Sequence, residues 1–490
     1  MKNIVSIKPI YKYLILFFFC QNVLSQNPVN ILQSNTLDQL LIHDTIFQKF
    51  SGNVIVEYED FKIICDTILI DEYKEAIRGW GNVNIANDTI EFQTDSINIK
   101  QFQSIIFLYK NTTIKMDDMI IYGDELEYNY EINEIRYVNG GHVKTQDYDI
   151  KSQQFSHLIK ENTSRFQQLV NVTANEYQIL TENLIYRDEL MSFFGTTSIK
   201  NLDFLINCNE GLFKKDDVLK IYNQETIDAN QRKIQSDTLL VDIKNNVNYF
   251  NRNVNIVINQ ETHIRGDNFT QRNSFSTIYN DCYIKLINPQ DSIIIHGDTI
   301  KINDQKEELE VINNVIIEGK DLEGGCVNMK FKENYTDIHM HHNPVLWFND
   351  TQVTGDEIQL YIKHNQLDSI YIPRNPFVVS PYDSPTYYNQ IIGKVLFGKF
   401  HENNIKYVNI EGNSKMKYFE NNKQKKSIIG LNNIEAGNIR LLFINNKVNQ
   451  MSSFNQIESN YIELDVTHNM KKNSELLYFN DFKLVERLRK

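Results

Sequence analysis

From Asn27 onward the chain repeats one short phrase: a small residue, then usually an acidic or amide residue, then apolar residues two and four places later. Clear copies are CDTILI at Cys65, TDSINI at Thr94, GDELEY at Gly123, TENLIY at Thr181, SDTLLV at Ser236, GDTIKI at Gly297 and GDEIQL at Gly355. Weaker ones run from SQQFSH at Ser152 to SNYIEL at Ser459. With the second residue as anchor, the first four intervals are 29 residues each, the next six lie between 27 and 31, and only the last three depart. A second phrase precedes many anchors by ten to fourteen residues, as in GNVIV at Gly52, GNVNI at Gly81, GHVKT at Gly141, NVNIV at Asn253, NVIIE at Asn314 and NPVLW at Asn343. Both phrases alternate apolar and polar positions, the period-two mark of a half-buried strand, and helical spacing is absent over any long stretch. Each repeat of about 29 residues therefore holds two strands.

Parity assigns the faces. Ile68, Ile70, Ile97, Ile99, Leu126, Tyr128, Leu184, Leu239, Val241, Ile300, Ile302, Ile358 and Leu360 share one side; Thr67, Asn98, Glu127, Lys301 and Gln359 share the other. The anchor acid is expected at the start of its strand, bonded to turn backbone. The small residue before it is expected to admit a close approach of neighbouring turns, which makes Cys65 and Cys208 space-fillers. A lone hairpin cannot bury its apolar face, so the units must stack into an elongated all-β body. Fourteen copies at ~4.8 Å per strand would extend it by roughly 65 Å. Such a body has an apolar interior and an open sheet edge at each end. Acyl chains suit the interior, at ~0.8 kcal/mol per buried methylene, and open edges suit strand addition from a partner. The pattern fits a lipid slot and a filled core equally.

Composition narrows this further. Lys2, Lys8 and Lys12 precede an apolar run from Tyr13 to Cys20, which reads as a secretory signal ending at Ser25, with a retained anchor as the other reading. Without residues 1–25 the chain carries 47 basic and 63 acidic residues, a formal charge of −16, which disfavours nucleic acid as a partner. Cys65, Cys208, Cys282 and Cys326 lie far apart with no CxxC; buried thiols are expected, and no disulfide pairing follows. His339, His341 and His342 lack a third ligand nearby in sequence, so no metal site is expected. The 26 Tyr and 28 Phe would supply the aromatic girdles of a membrane barrel, but even spacing favours a stacked water-soluble body. There is no GxSxG, HExxH or phosphate loop, hence no catalytic residue and no cofactor is assigned. Pro373, Pro376, Pro381 and Pro385 crowd thirteen residues beside the break in spacing. The expected division is a signal at 1–25, a repeat region at 26–372, a proline-rich interruption at 373–390 and a C-terminal β-segment at 391–490.

Phrases such as GNVNI and GDTIKI resemble the OstA-like family of periplasmic lipopolysaccharide-transport proteins. The segments NPVLWFNDTQVTGDEIQLYIKHNQLDSIYI, from Asn343 to Ile372, and IIGKVLFGKFHENNIKYVNIEGNSKMKYF, from Ile391 to Phe419, resemble the long members of Bacteroidota-type bacteria. The resemblance covers residues 28–490. It implies an antiparallel β-jellyroll, or β-taco, in the periplasm or at the outer membrane. Its interior would take the lipid A acyl chains of lipopolysaccharide, and its ends would pair with other transport components; no enzyme activity or cofactor is implied. The chain departs from the short bridge proteins in having about twice as many repeats or more, and no large barrel segment follows them. Two other readings stand beside this one: an exported parallel β-helix acting on polysaccharide, and a structural surface fibre with a dry core.

Overall fold

In the strand Phe61–Asp71, Phe61, Ile63 and Cys65 are buried, and so are Ile68 and Ile70; the alternation breaks once, between Cys65 and Ile68. Its partner Ala76–Ala86 buries Ile77 and Gly79, then Val83 and Ile85, with three residues intervening instead of two. The unequal count is a bulge in the ladder, where the register jumps between Ile64/Asn84 and Thr67/Trp80. Each strand bends at this point, so its two arms belong to two facing walls.

The computed structural model describes residues 29–463, except 43–44, 72–75, 259–260, 288–291, 321, 334–335, 364–365, 383, 402–403, 423–426 and 445–446, together with Phe479, Leu484 and Val485. The expected signal segment lies outside the described residues. These contain no α-helix, only two short 3-10 turns at Gln101–Gln103 and Ile159–Glu161. Residues 1–146 with 156–160 form one unit, and residues 147–155 with 161–490 a second. In each, the strands meander, many of them eleven or twelve residues long, pairing antiparallel with their neighbours in the chain. Both units are therefore stacked antiparallel β-jellyrolls of two-strand repeats, and the antiparallel ladders rule out the parallel β-helix.

The arms face one another across a filled interior. In the first unit Phe61 and Phe92 on one wall meet Tyr128 on the other, with ring centroids 5.9 and 5.3 Å apart. In the second, Tyr177 meets Phe213 at 5.2 Å.

The corner explains both phrases. Gly81 and Asn82 take successive left-handed conformations (φ 85° and 47°), as do Arg252–Asn253 and Asn313–Asn314, where the strand holds its extra residue. The asparagine then reaches back 16 residues to the anchor acid. Asn82 donates to Asp66 at 3.1 Å, Asn111 to Asp95 at 2.9 Å, Asn253 to Asp237 at 3.0 Å and Asn314 to Asp298 at 2.9 Å. The anchor acid thus sits at mid-strand and accepts from a side chain, not at the start of a strand on turn backbone. A bulge resets the alternation, so one bent strand imitates a turn followed by a new strand.

The small residue lines the crease where the walls converge. A Cβ at Gly297 would fall 2.3 Å from Val311 Cγ1, and one at Gly266 2.5 Å from Ile278 Cγ2. Where the crease holds hydroxyls they bond each other: Thr94 to Thr112 at 2.8 Å and Thr181 to Thr197 at 2.7 Å. Cys65, Cys208, Cys282 and Cys326 are free thiols, the first three buried at this crease, and burial pushes the Cys208 thiol up to about 12.

The proline-rich stretch does not interrupt the sheet. Pro373 and Pro376 occupy the corner between Gln366–Ile372 and Phe377–Tyr382, where no ladder donor is needed, and Pro381 pairs opposite Tyr388. From Asp337 to His401 the corners open into breaks between half-strands, and in the hairpin Asn404–Asn422/Ser427–Ile444 the long bent strand returns, with its bulge between Glu411 and Ser414.

Crease and ladder predict unequal costs. Gly297→Leu should destabilise by about 1–3 kcal/mol through overpacking against Val311, whereas Asp298→Ala, losing one exposed hydrogen bond, should cost no more than about 1 kcal/mol. Thermal melts of the two variants check the order; equal shifts would contradict the crease.

Candidate functional site: the apolar interior and its mouth

All thirteen residues expected to face inward are buried: Ile68, Ile70, Ile97, Ile99, Leu126 and Tyr128 in the first unit, and Leu184, Leu239, Val241, Ile300, Ile302, Ile358 and Leu360 in the second. They lie on the arm that follows the corner, so they line one wall only. The opposing wall was missed; in the first unit it comprises Val56, Ile63, Ile85, Phe92, Ile114 and Ile121. Its signal is the same alternation running backwards from each anchor.

The inward residues of both walls are buried, and rings from opposite walls meet at 5.2–5.9 Å, so the described interior is packed at these points. In the second unit it opens at the mouth, in a cavity of about 210 Å³ floored by Phe204, Leu239, Val241 and Phe250 and rimmed by Asp203, Asp228, Asn230 and Asn246. This is below the ~300–1,000 Å³ of ordinary ligand pockets.

Specific bridges join the lips. In the second unit the buried Arg232, on the turn after one wall's strand, holds Asp228 at 2.6 Å and reaches Asp304 on the opposite lip with two bonds of 2.9 and 3.1 Å. Burial raises the Asp304 carboxyl above its ordinary value, against the pull of Arg232. Lys215 and Asp147 form a second bridge across the lips, where Tyr148 also accepts the Lys215 backbone N–H at 3.2 Å. In the first unit the hydroxyls of Tyr58 and Tyr130 meet at 2.9 Å; burial pushes the Tyr58 phenol far up, so it stays a neutral hydrogen-bonding group.

The outermost described strands are apolar and exposed. In the first unit, Thr36–Ile42 pairs only with Thr45–Tyr58 among the described residues and exposes Leu37, Leu41 and Ile42. In the second, Lys447–Phe454 pairs only with Ser427–Ile444 and exposes Val448 and Phe454.

Bent antiparallel repeats closing over an apolar interior define a protein of the β-jellyroll class. Residues 26–182 match the family model described as OstA-like protein, and residues 233–366 match that described as LptA/(LptD N-terminal domain) LPS transport protein. The chain belongs to the OstA-like family of lipopolysaccharide-transport proteins, on the strength of these two matches. Among solved structures, LptH, the LptA homologous periplasmic component of the lipopolysaccharide transport device from Pseudomonas aeruginosa, is 15% identical. The alignment covers 23% of this chain and 82% of that one, with a TM-score of 0.21. No curated protein matches the chain.

The interior also carries a titratable group. Burial lowers His157, in the first unit, to about 4 from an ordinary value of 6.5. The unfolded chain therefore binds a proton that the folded one refuses, and stability is lost as pH falls from about 6.5 toward 4. The drop between pH 7.5 and 4.5 should shrink by about 2–3 kcal/mol in His157→Leu. Denaturant titrations at both pH values check this, and an unchanged drop would contradict it.

Proposed function

We propose that this chain holds lipopolysaccharide by its lipid A acyl chains between the two walls and carries it through the periplasm toward the outer membrane. The exposed terminal strands would pair with further transport components by strand addition. One observation carries the reading: two continuous aliphatic walls meet at a mouth that already admits a cavity onto Leu239 and Val241. Acyl chains entering there would replace wall-to-wall contacts with wall-to-lipid contacts of the same chemistry. Each methylene leaving water contributes ~0.8 kcal/mol toward parting the walls. The role of every lining residue is apolar contact.

The close packing of the interior also suits a structural fibre whose core stays dry. The two readings separate in cells. A photocrosslinking residue at Ile97 or Ile300 should capture lipopolysaccharide, while one at the outward positions Asn98 or Lys301 should not. Equal capture from both faces, or none from the inward positions together with lipid-free protein by extraction and mass spectrometry, would favour the dry core.

A further inference from the structure

The outer face of one hairpin in the second unit gathers groups that the lipid reading leaves unused. Asp337–His341 pairs with Glu357–Lys363 so that His339 lies opposite Gln359 and His341 opposite Glu357. The intervening Ile338, Met340, Ile358 and Leu360 fill the interior. Sequence spacing offered only histidines here; the register supplies a carboxylate 18 residues away. Donor atoms of His339, His341 and Glu357 all lie within 4.8 Å of one another.

The surroundings hold these groups in place. His339 Nδ1 stands 2.9 Å from Glu357 Oε1, while its Nε2 stands 3.1 Å from Asp337 Oδ2. Gln359 Nε2 donates to the same Glu357 oxygen at 2.8 Å, and the Tyr361 hydroxyl donates to Gln359 Oε1 at 3.0 Å. The His341 ring stacks beside His339, centroids 5.9 Å apart. The neighbouring Lys330 is turned away to Glu308 at 2.9 Å.

We propose that His339, His341 and Glu357 bind one divalent transition-metal ion of the zinc class, with Asp337 and Gln359 as positioning residues. Two imidazoles and one carboxylate are a donor set that zinc accepts, leaving a fourth position for water. A carboxylate on the far nitrogen of a ligating histidine fixes its tautomer and raises its basicity, which is the place Asp337 holds. Ligand atoms around a tetrahedral zinc stand roughly 3.3 Å apart at bonds of ~2.0–2.1 Å, so the three groups, within 4.8 Å of one another, need close by no more than about 1.5 Å. On binding, the ion replaces the proton shared between His339 Nδ1 and Glu357, and that proton leaves to solvent. The ion would tie two neighbouring strands together from outside without touching the interior, so this inference stands apart from the lipid reading.

The test uses the untagged full chain, stripped with chelator, titrated with zinc by calorimetry and with cobalt by visible absorbance. The expected result is one equivalent bound at low-micromolar or tighter affinity, with cobalt bands of a four-coordinate site. His341→Ala and Glu357→Gln should each weaken binding roughly tenfold or more, with unchanged far-ultraviolet dichroism, while His342→Ala should leave it unchanged. No saturable uptake by the parent chain, or undiminished affinity in both ligand variants, would overturn the site.

Discussion

Everything in this protein follows from the bend at the middle of each strand. A flat antiparallel meander with this alternation would leave one whole greasy face in water. Creasing the long strands at a common depth turns that face onto itself. The crease demands small residues inside, such as Gly297 and Gly266, and left-handed backbone outside, which asparagine and glycine tolerate best. Both requirements recur at each repeat, which is why two short phrases dominate the sequence.

The strands, their period and one wall were legible because alternation is a local property. The crease was not. A bulge shifts parity, so the residues before each anchor looked like a turn, and Phe61, Ile63 and Phe92 were left out of the lining although they obey the same rule. The lip bridges were beyond any reading of spacing: Arg232 and Asp304 are 72 residues apart, brought together only by the stacking of repeats. Glu357 escaped notice for a related reason, since its closeness to His341 depends on hairpin register. The prolines misled because Pro373 and Pro376 mark a corner, a place where strands of this fold give up ladder bonds anyway.

Crease and lips hold the two walls of each unit in different ways. The walls are continuous through the bent strands at the crease, where exposed Asn–Asp bonds link neighbouring strands, and are joined at the lips by a few discrete bridges. Apolar contact supplies most of the cohesion between them, and it is non-directional. The polar groups at the lips supply the geometry, because a bidentate guanidinium such as Arg232 tolerates little misalignment.

Since, among the described residues, repeats pair with their immediate neighbours along the chain, prising the lips apart is a local event. A blister two or three hairpins wide disturbs the same amount of surface wherever it forms within a unit. Its energetic cost is therefore set by the width of the blister and not by the length of the stack, so adding repeats makes the stack no harder to open locally.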